Sequence, residues 1–172
     1  MSTLKKMFPS LTLFSDLDWD LVTAEYETNY IDLSFPEYLQ QKATDGDCPP
    51  FLFELAYYEM ALFDAQTSDT PFPHISGVYL NPSALFLSLE FDVMKMLAEA
   101  KTGKIEIIER PHVICLFRDK LGKVRSVELD DEALDILQNL EDGPQSDRKF
   151  LKPEQRSRYE EMVKNALIFE LV

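Results

Sequence analysis

The apolar residues of this chain change their period part-way along, and that change limits the fold more than any single motif does. Before residue 68 they recur at i, i+3, i+4 and i+7, and after residue 80 they alternate. A helical repeat buries one stripe of a helix, whereas an alternating repeat buries one face of a sheet. Pro71-Phe72-Pro73-His74-Ile75-Ser76-Gly77 sits at the change and reads as a connector. The expected class is therefore α+β, with an all-helical domain over 1–70, a connector over 71–80 and a small α+β domain with an antiparallel sheet over 81–172.

In the helical part the strongest signal runs from Phe51 to Ala65, opened by Pro49-Pro50. Leu52, Leu55, Ala56, Glu59, Leu62 and Phe63 share one face by spacing, which sets the carboxylate of Glu59 inside an apolar stripe. A buried carboxylate needs hydrogen-bond partners or a shifted pKa. Two roles compete for Glu59. It accepts hydrogen bonds from amides at a neighbouring helix start, from Trp19 or from a tyrosine, and so fixes how helices cross, or it lines a groove used by a partner. The structural role is the commoner one for a buried polar group. Upstream, Asp18 is placed to cap a helix in which Trp19, Val22, Tyr26 and Tyr30 share a face, and Ser34-Phe35-Pro36-Glu37 opens a second, short helix.

Downstream, Leu85, Leu87, Leu89 and Phe91 spell a strand with one buried face, and Asp92 caps a short helix that ends near Gly103. Ile105, Ile107 and Ile108 suggest another strand. His112–Arg118 and Val124–Leu129 form a hairpin across a turn at Gly122. Asp130 or Asp131 caps a helix carrying Leu134, Leu137 and Leu140, which Gly143-Pro144 stops. An exposed loop over 144–152 and an amphipathic helix from Pro153 to Leu167, with Tyr159, Met162, Val163 and Ala166 on one side, complete the reading.

The net charge is −14, and it is uneven: residues 1–80 hold 13 Asp and Glu against 3 Lys, and residues 81–172 hold 18 against 14 Lys and Arg. That balance repels a nucleic-acid backbone and suits basic partners. The two cysteines, Cys48 and Cys115, have no ligand-type spacing, and neither have His74 and His112, so no metal site is expected. Cys115 lies in an apolar strand and reads as a small buried hydrophobe, while Cys48 lacks an activating base nearby. Asp16, Asp18 and Asp20 have the opening spacing of a calcium loop but lack its glycine and distal glutamate, which leaves helix capping as their role. Phosphate-cradling and nucleophile-elbow motifs are missing, and five glycines cannot supply a phosphate loop. No signal-peptide core and no membrane-length apolar run occur, so a cytoplasmic chain without cofactor or catalytic activity is expected.

Pro50-Phe51-Leu52-Phe53-Glu54-Leu55-Ala56-Tyr57-Tyr58-Glu59-Met60-Ala61 resembles the P-x-L-x-x-L-A-x-x-E-x-A helix of a bacterial family that carries a DNA-binding-domain label and includes the HvfC/BufC-type partner proteins. The helix from Trp19 through Tyr26 to Tyr30, Asn81-Pro82-Ser83 with its following strand, Arg118, Gly122 and the Leu134–Gly143 helix extend the resemblance. The stretch ahead of Phe8 and the end after Gly143 are expected to be shorter than is usual in that family.

The resemblance implies a protein that is not itself a catalyst. It would pair with a multinuclear non-haem iron oxidase that modifies cysteines of a ribosomally made precursor peptide, the iron belonging to the enzyme. The hairpin and helix over 112–143 also resemble peptide-binding modules in which a leader segment adds as an extra strand, with Val113, Cys115, Phe117, Arg118, Val124 and Val127 as the candidate residues. The expectation is a non-catalytic adaptor that binds a peptide or an enzyme. A DNA-binding regulator, opposed by the acidic charge, and a small-molecule-binding domain are the alternatives.

Overall fold

A computed structural model describes residues 3–14, 17–30, 32–72, 74, 76–141 and 143–171. Asp16 of the acidic spacing, and Pro73 and Ile75 of the connector, lie outside the described residues. The chain is an α+β protein with a helical N-terminal region. In order it forms α1 (Thr3–Met7), α2 (Leu11–Phe14), α3 (Trp19–Asn29), α4 (Phe35–Thr44), α5 (Phe51–Thr67), β1 (Gly77–Leu80), β2 (Leu85–Phe91), α6 (Val93–Ala100), β3 (Glu109–Arg118), β4 (Val124–Leu129), α7 (Asp131–Glu141), a 3₁₀ turn (Pro153–Gln155), α8 (Arg156–Lys164) and β5 (Ile168–Leu171). Two compact units result, each assembled from two stretches: residues 1–63 with 89–112, and residues 64–88 with 113–172.

In the first unit the expected caps form. Asp18 Oδ1 accepts from the amides of Asp20 and Leu21 at 3.1 and 3.2 Å, and Ser34 with Glu37 makes a reciprocal capping box on α4. The aromatic face of α3 joins an aromatic core. Tyr26 meets Phe35 and Tyr38 with ring centroids 5.1 and 5.4 Å apart, and Tyr30 meets Tyr38 at 5.0 Å. Asp92 caps α6 through the Lys95 amide at 3.0 Å and also holds the Arg110 guanidinium. The strand expected at Ile105, Ile107 and Ile108 does not form. Residues 104–108 carry no regular element, and Ile105 is 50% exposed. Ile108 O takes the Asp92 amide at 2.9 Å, but three β-branched residues do not by themselves hold a strand.

The second unit packs Cys115, Phe117 and Leu129 of the hairpin against Ala133, Ile136, Leu137 and Leu140 of α7 and Tyr159 and Met162 of α8. β3 and β4 pair antiparallel with Cys115 opposite Val127 and Arg118 opposite Val124, and β4 ends a sheet ordered β2-β3-β4. The other sheet was not expected. Gly77–Leu80, at the end of the supposed connector, pairs antiparallel with Ile168–Leu171, just beyond the expected last helix. Nor is 144–152 merely exposed loop, since Gln145 exchanges both backbone hydrogen bonds with Val78 at 2.8 and 3.0 Å.

Candidate partner-binding groove

The groove lies in the second unit, and a short turn begins its construction. Asp119, just past β3, accepts hydrogen bonds from the amides of Leu121 and Lys123 and from Arg125 Nε, all at 2.9 Å. The Lys123 amide foremost, helped by Arg125 and Leu121, holds its carboxyl below the usual range against the cost of its desolvation. Gly122 follows with φ at +76°, a conformation that disfavours any side chain, and the chain returns as β4.

Opposite the hairpin, α8 ends at Lys164, and Ala166 takes φ of +64° before β5 begins. A non-glycine residue there requires an outside constraint. Asn81 supplies one. Its buried amide donates to Ala166 O at 2.8 Å and to Arg118 O at 2.7 Å, while its Oδ1 accepts from the amide and hydroxyl of Ser83. Ser83 Oγ in turn accepts from the Arg118 amide at 2.9 Å. One asparagine thus ties the end of β3 to the chain leaving α8.

Between these two walls runs a groove of about 480 Å³. Val127 and Val163 give it apolar surface over the buried Phe117, and Lys120, Arg125 and Lys164 supply cations against one carboxylate in the lining, that of Asp119. Arg125 is paired with Asp119, and Lys120 Nζ sits 5.3 Å from the centroid of the Phe169 ring. The exposed Leu121 stands at the turn. The groove is therefore cation-rich in a chain whose net charge is −14.

The hairpin residues singled out from the sequence divide three ways. Cys115 and Phe117 are core, with Val113 and Val127 packed against that core, and burial pushes the Cys115 thiol up to about 12, which leaves it protonated and inert. Phe117 and Val127 also reach the groove. Arg118 does not line it, because its Nη2 donates to Thr70 O at 3.1 Å and its backbone belongs to the asparagine knot. Val124 lies at the start of β4. The Asp119 amide donates to Lys123 O, so 117/125, 115/127 and 113/129 are the bonded pairs, and the Val124 amide points away from β3.

The second group of singled-out residues belongs to the first unit. Trp19, Leu52, Leu55 and Ala56 are buried, and Tyr26 and Tyr30 are half-buried in the aromatic cluster. Pro50 is exposed and its carbonyl accepts from the Phe53 amide as α5 begins. Glu59 Oε1 accepts from the amide of Ser10 at 3.2 Å and from its hydroxyl at 2.5 Å, at the start of α2, while Oε2 is buried without a hydrogen bond among the described residues. Burial raises the Glu59 carboxyl above its ordinary range, and the Ser10 contacts oppose that shift. Phe63, expected on the same buried face, is 44% exposed. The burial of Tyr58 and Ala61 shows why: α5 is covered on more than one side, so a single stripe does not describe it.

Sequence reasoning passed over Glu54. It is as deeply buried as Glu59, and its two carboxylate oxygens take the backbone amides of Glu90 and Phe91 at 2.9–3.0 Å. No spacing rule marks a carboxylate whose partners are backbone amides 36 residues away. Asn81 stands out in the sequence only as part of the family resemblance, and no local spacing marks Lys120 or Lys164.

Among the described residues, no three His, Cys, Asp or Glu side chains come together as a metal-binding group, and no helix is long and apolar enough to cross a membrane. No protein-family model matches the chain, and no curated protein matches it.

Proposed function

We propose that this chain is a non-catalytic adaptor that binds a peptide segment or a partner enzyme, a relative of the HvfC/BufC-type partners of multinuclear non-haem iron oxidases acting in a reducing cytoplasm. The observation that carries the reading is the placement of β4. It ends its sheet and lines a groove of about 480 Å³. A terminal strand offers its outer edge to an added strand, and the groove offers room for the side chains that follow. The buried thiols of Cys48 and Cys115 and the carboxylates of Glu54 and Glu59, which are engaged by backbone and serine donors, serve the structure rather than a reaction.

The test is affinity capture from the native host with the wild type and Val124→Pro side by side, read by mass spectrometry, with circular dichroism as the fold control. Proline at 124 removes an amide that the β3 ladder does not use. An iron oxidase or a Cys-rich precursor peptide held by the wild type and released by the folded variant supports the reading. Recovery of neither from the wild type overturns it.

A further inference from the structure

We propose that the groove beside β4 is a docking site for an extended, acidic segment of a partner protein, with Lys120 and Lys164 as the residues that select it. The inference rests on the adaptor reading and names the chemistry of the partner. Charge complementarity is its first support. Three cations face one carboxylate in the groove, and Arg125 already answers that carboxylate, which leaves the positive charge of Lys120 and Lys164 over. The local sign of such a site is opposite to the chain's net charge of −14.

The second support is the shape and lining. The half-buried Val127 and Val163 provide apolar contact in the groove, and Leu121, 91% exposed, adds an apolar rim. A chain that alternates carboxylates with apolar residues presents both features at the two-residue period of a strand lying along β4. The site is also held in shape. Asp119 fixes the turn that carries Lys120, and Asn81 fixes the backbone that follows Lys164. A ligand that meets a pre-shaped groove loses less in ordering it.

The experiment uses the full chain and two fluorescein-labelled peptides, one alternating Glu with Val and one alternating Lys with Val, read by fluorescence anisotropy. The acidic peptide is expected to bind about tenfold more tightly or better, and to weaken as NaCl rises. In the Lys120→Gln/Lys164→Gln double variant, shown by thermal melting to remain folded, its affinity is expected to drop about tenfold. Equal binding of the two peptides, binding by neither, or an undiminished affinity in the double variant overturns the proposal. Complete displacement of the acidic peptide by citrate at matched ionic strength also overturns it, because the groove then selects a small anion and not an extended chain. Host capture judges the adaptor reading separately, so a captured oxidase or precursor combined with indifferent peptides removes the acidic-segment inference alone.

Discussion

The two units hold their most deeply buried polar groups differently. The first buries carboxyl groups: Glu54 and Glu59 lie on one helix, Glu54 with both oxygens held by strand amides and Glu59 with Oε1 alone held, by Ser10. The second buries a neutral amide, Asn81, whose donors and acceptor are all used and which joins three segments at once. The difference has a thermodynamic consequence. A carboxylate in a desolvated site makes stability depend on pH, whereas an amide makes it depend only on geometry. The buried carboxyls thus tie the core of the first unit to pH, as Asp119 does for one turn of the second, and the second is the unit that a single substitution loosens most.

Asn81→Ala is the severest test of that contrast. It leaves the carbonyls of Arg118 and Ala166 and the Ser83 donors without their partner, and urea unfolding is expected to show a loss of about 4 kcal/mol. A loss below about 1 kcal/mol would mean that water replaces the amide and the knot is not a structural tie. Glu54→Ala should follow at about 2–3 kcal/mol, because two strand amides lose a charged acceptor, with the loss again read from urea curves.

Glu59→Ala, which strands only the two Ser10 donors, is expected to cost about 1–2 kcal/mol. Glu59→Gln sharpens the comparison further. The variant keeps an acceptor facing Ser10 and removes the titration. Burial raises the Glu59 carboxyl above its ordinary 4.5, so the folded chain holds the proton more tightly than the unfolded one. Its contribution is then fullest below 4.5 and is lost as pH rises through the folded-state value. The stability of the wild type minus that of Glu59→Gln should accordingly fall with rising pH, and a flat difference would show Glu59 to be effectively solvated. The smallest effect is local. Asp119, held below its usual range, loses its grip on the turn as pH drops through its folded-state value, so amide exchange at Leu121 and Lys123 should quicken in acid and in Asp119→Ala.

Local chemistry made much of the fold legible. The caps at Asp18, Ser34 and Asp92 form as the sequence implies, and of the two candidates Asp130 and Asp131 it is Asp130 that takes the Ala133 amide, since a capping side chain and its amides lie within three residues of each other. The hairpin around Gly122 formed for the same reason. The pairing of β1 with β5 joins Gly77–Leu80 to Ile168–Leu171 across about ninety residues, and each segment alone is too short to announce a strand. The groove was half legible. The hairpin that forms one wall was identified, but Lys120 and Lys164 come together only because α8 is brought back beside it.

By itself the sequence determined the α+β class, the caps that open α3, α4 and α6, the hairpin across Gly122 and the presence of a carboxylate in the α5 stripe, all of which follow from spacing within one or two turns. Tertiary structure alone decided that Glu59 answers Ser10, that Glu54 answers a strand end, that Asn81 ties Arg118 to Ala166 and that an acidic chain carries a cation-lined groove. Those are meetings of groups dozens of residues apart. Whether a buried donor finds its acceptor depends on where the chain closes, and no local repeat records that.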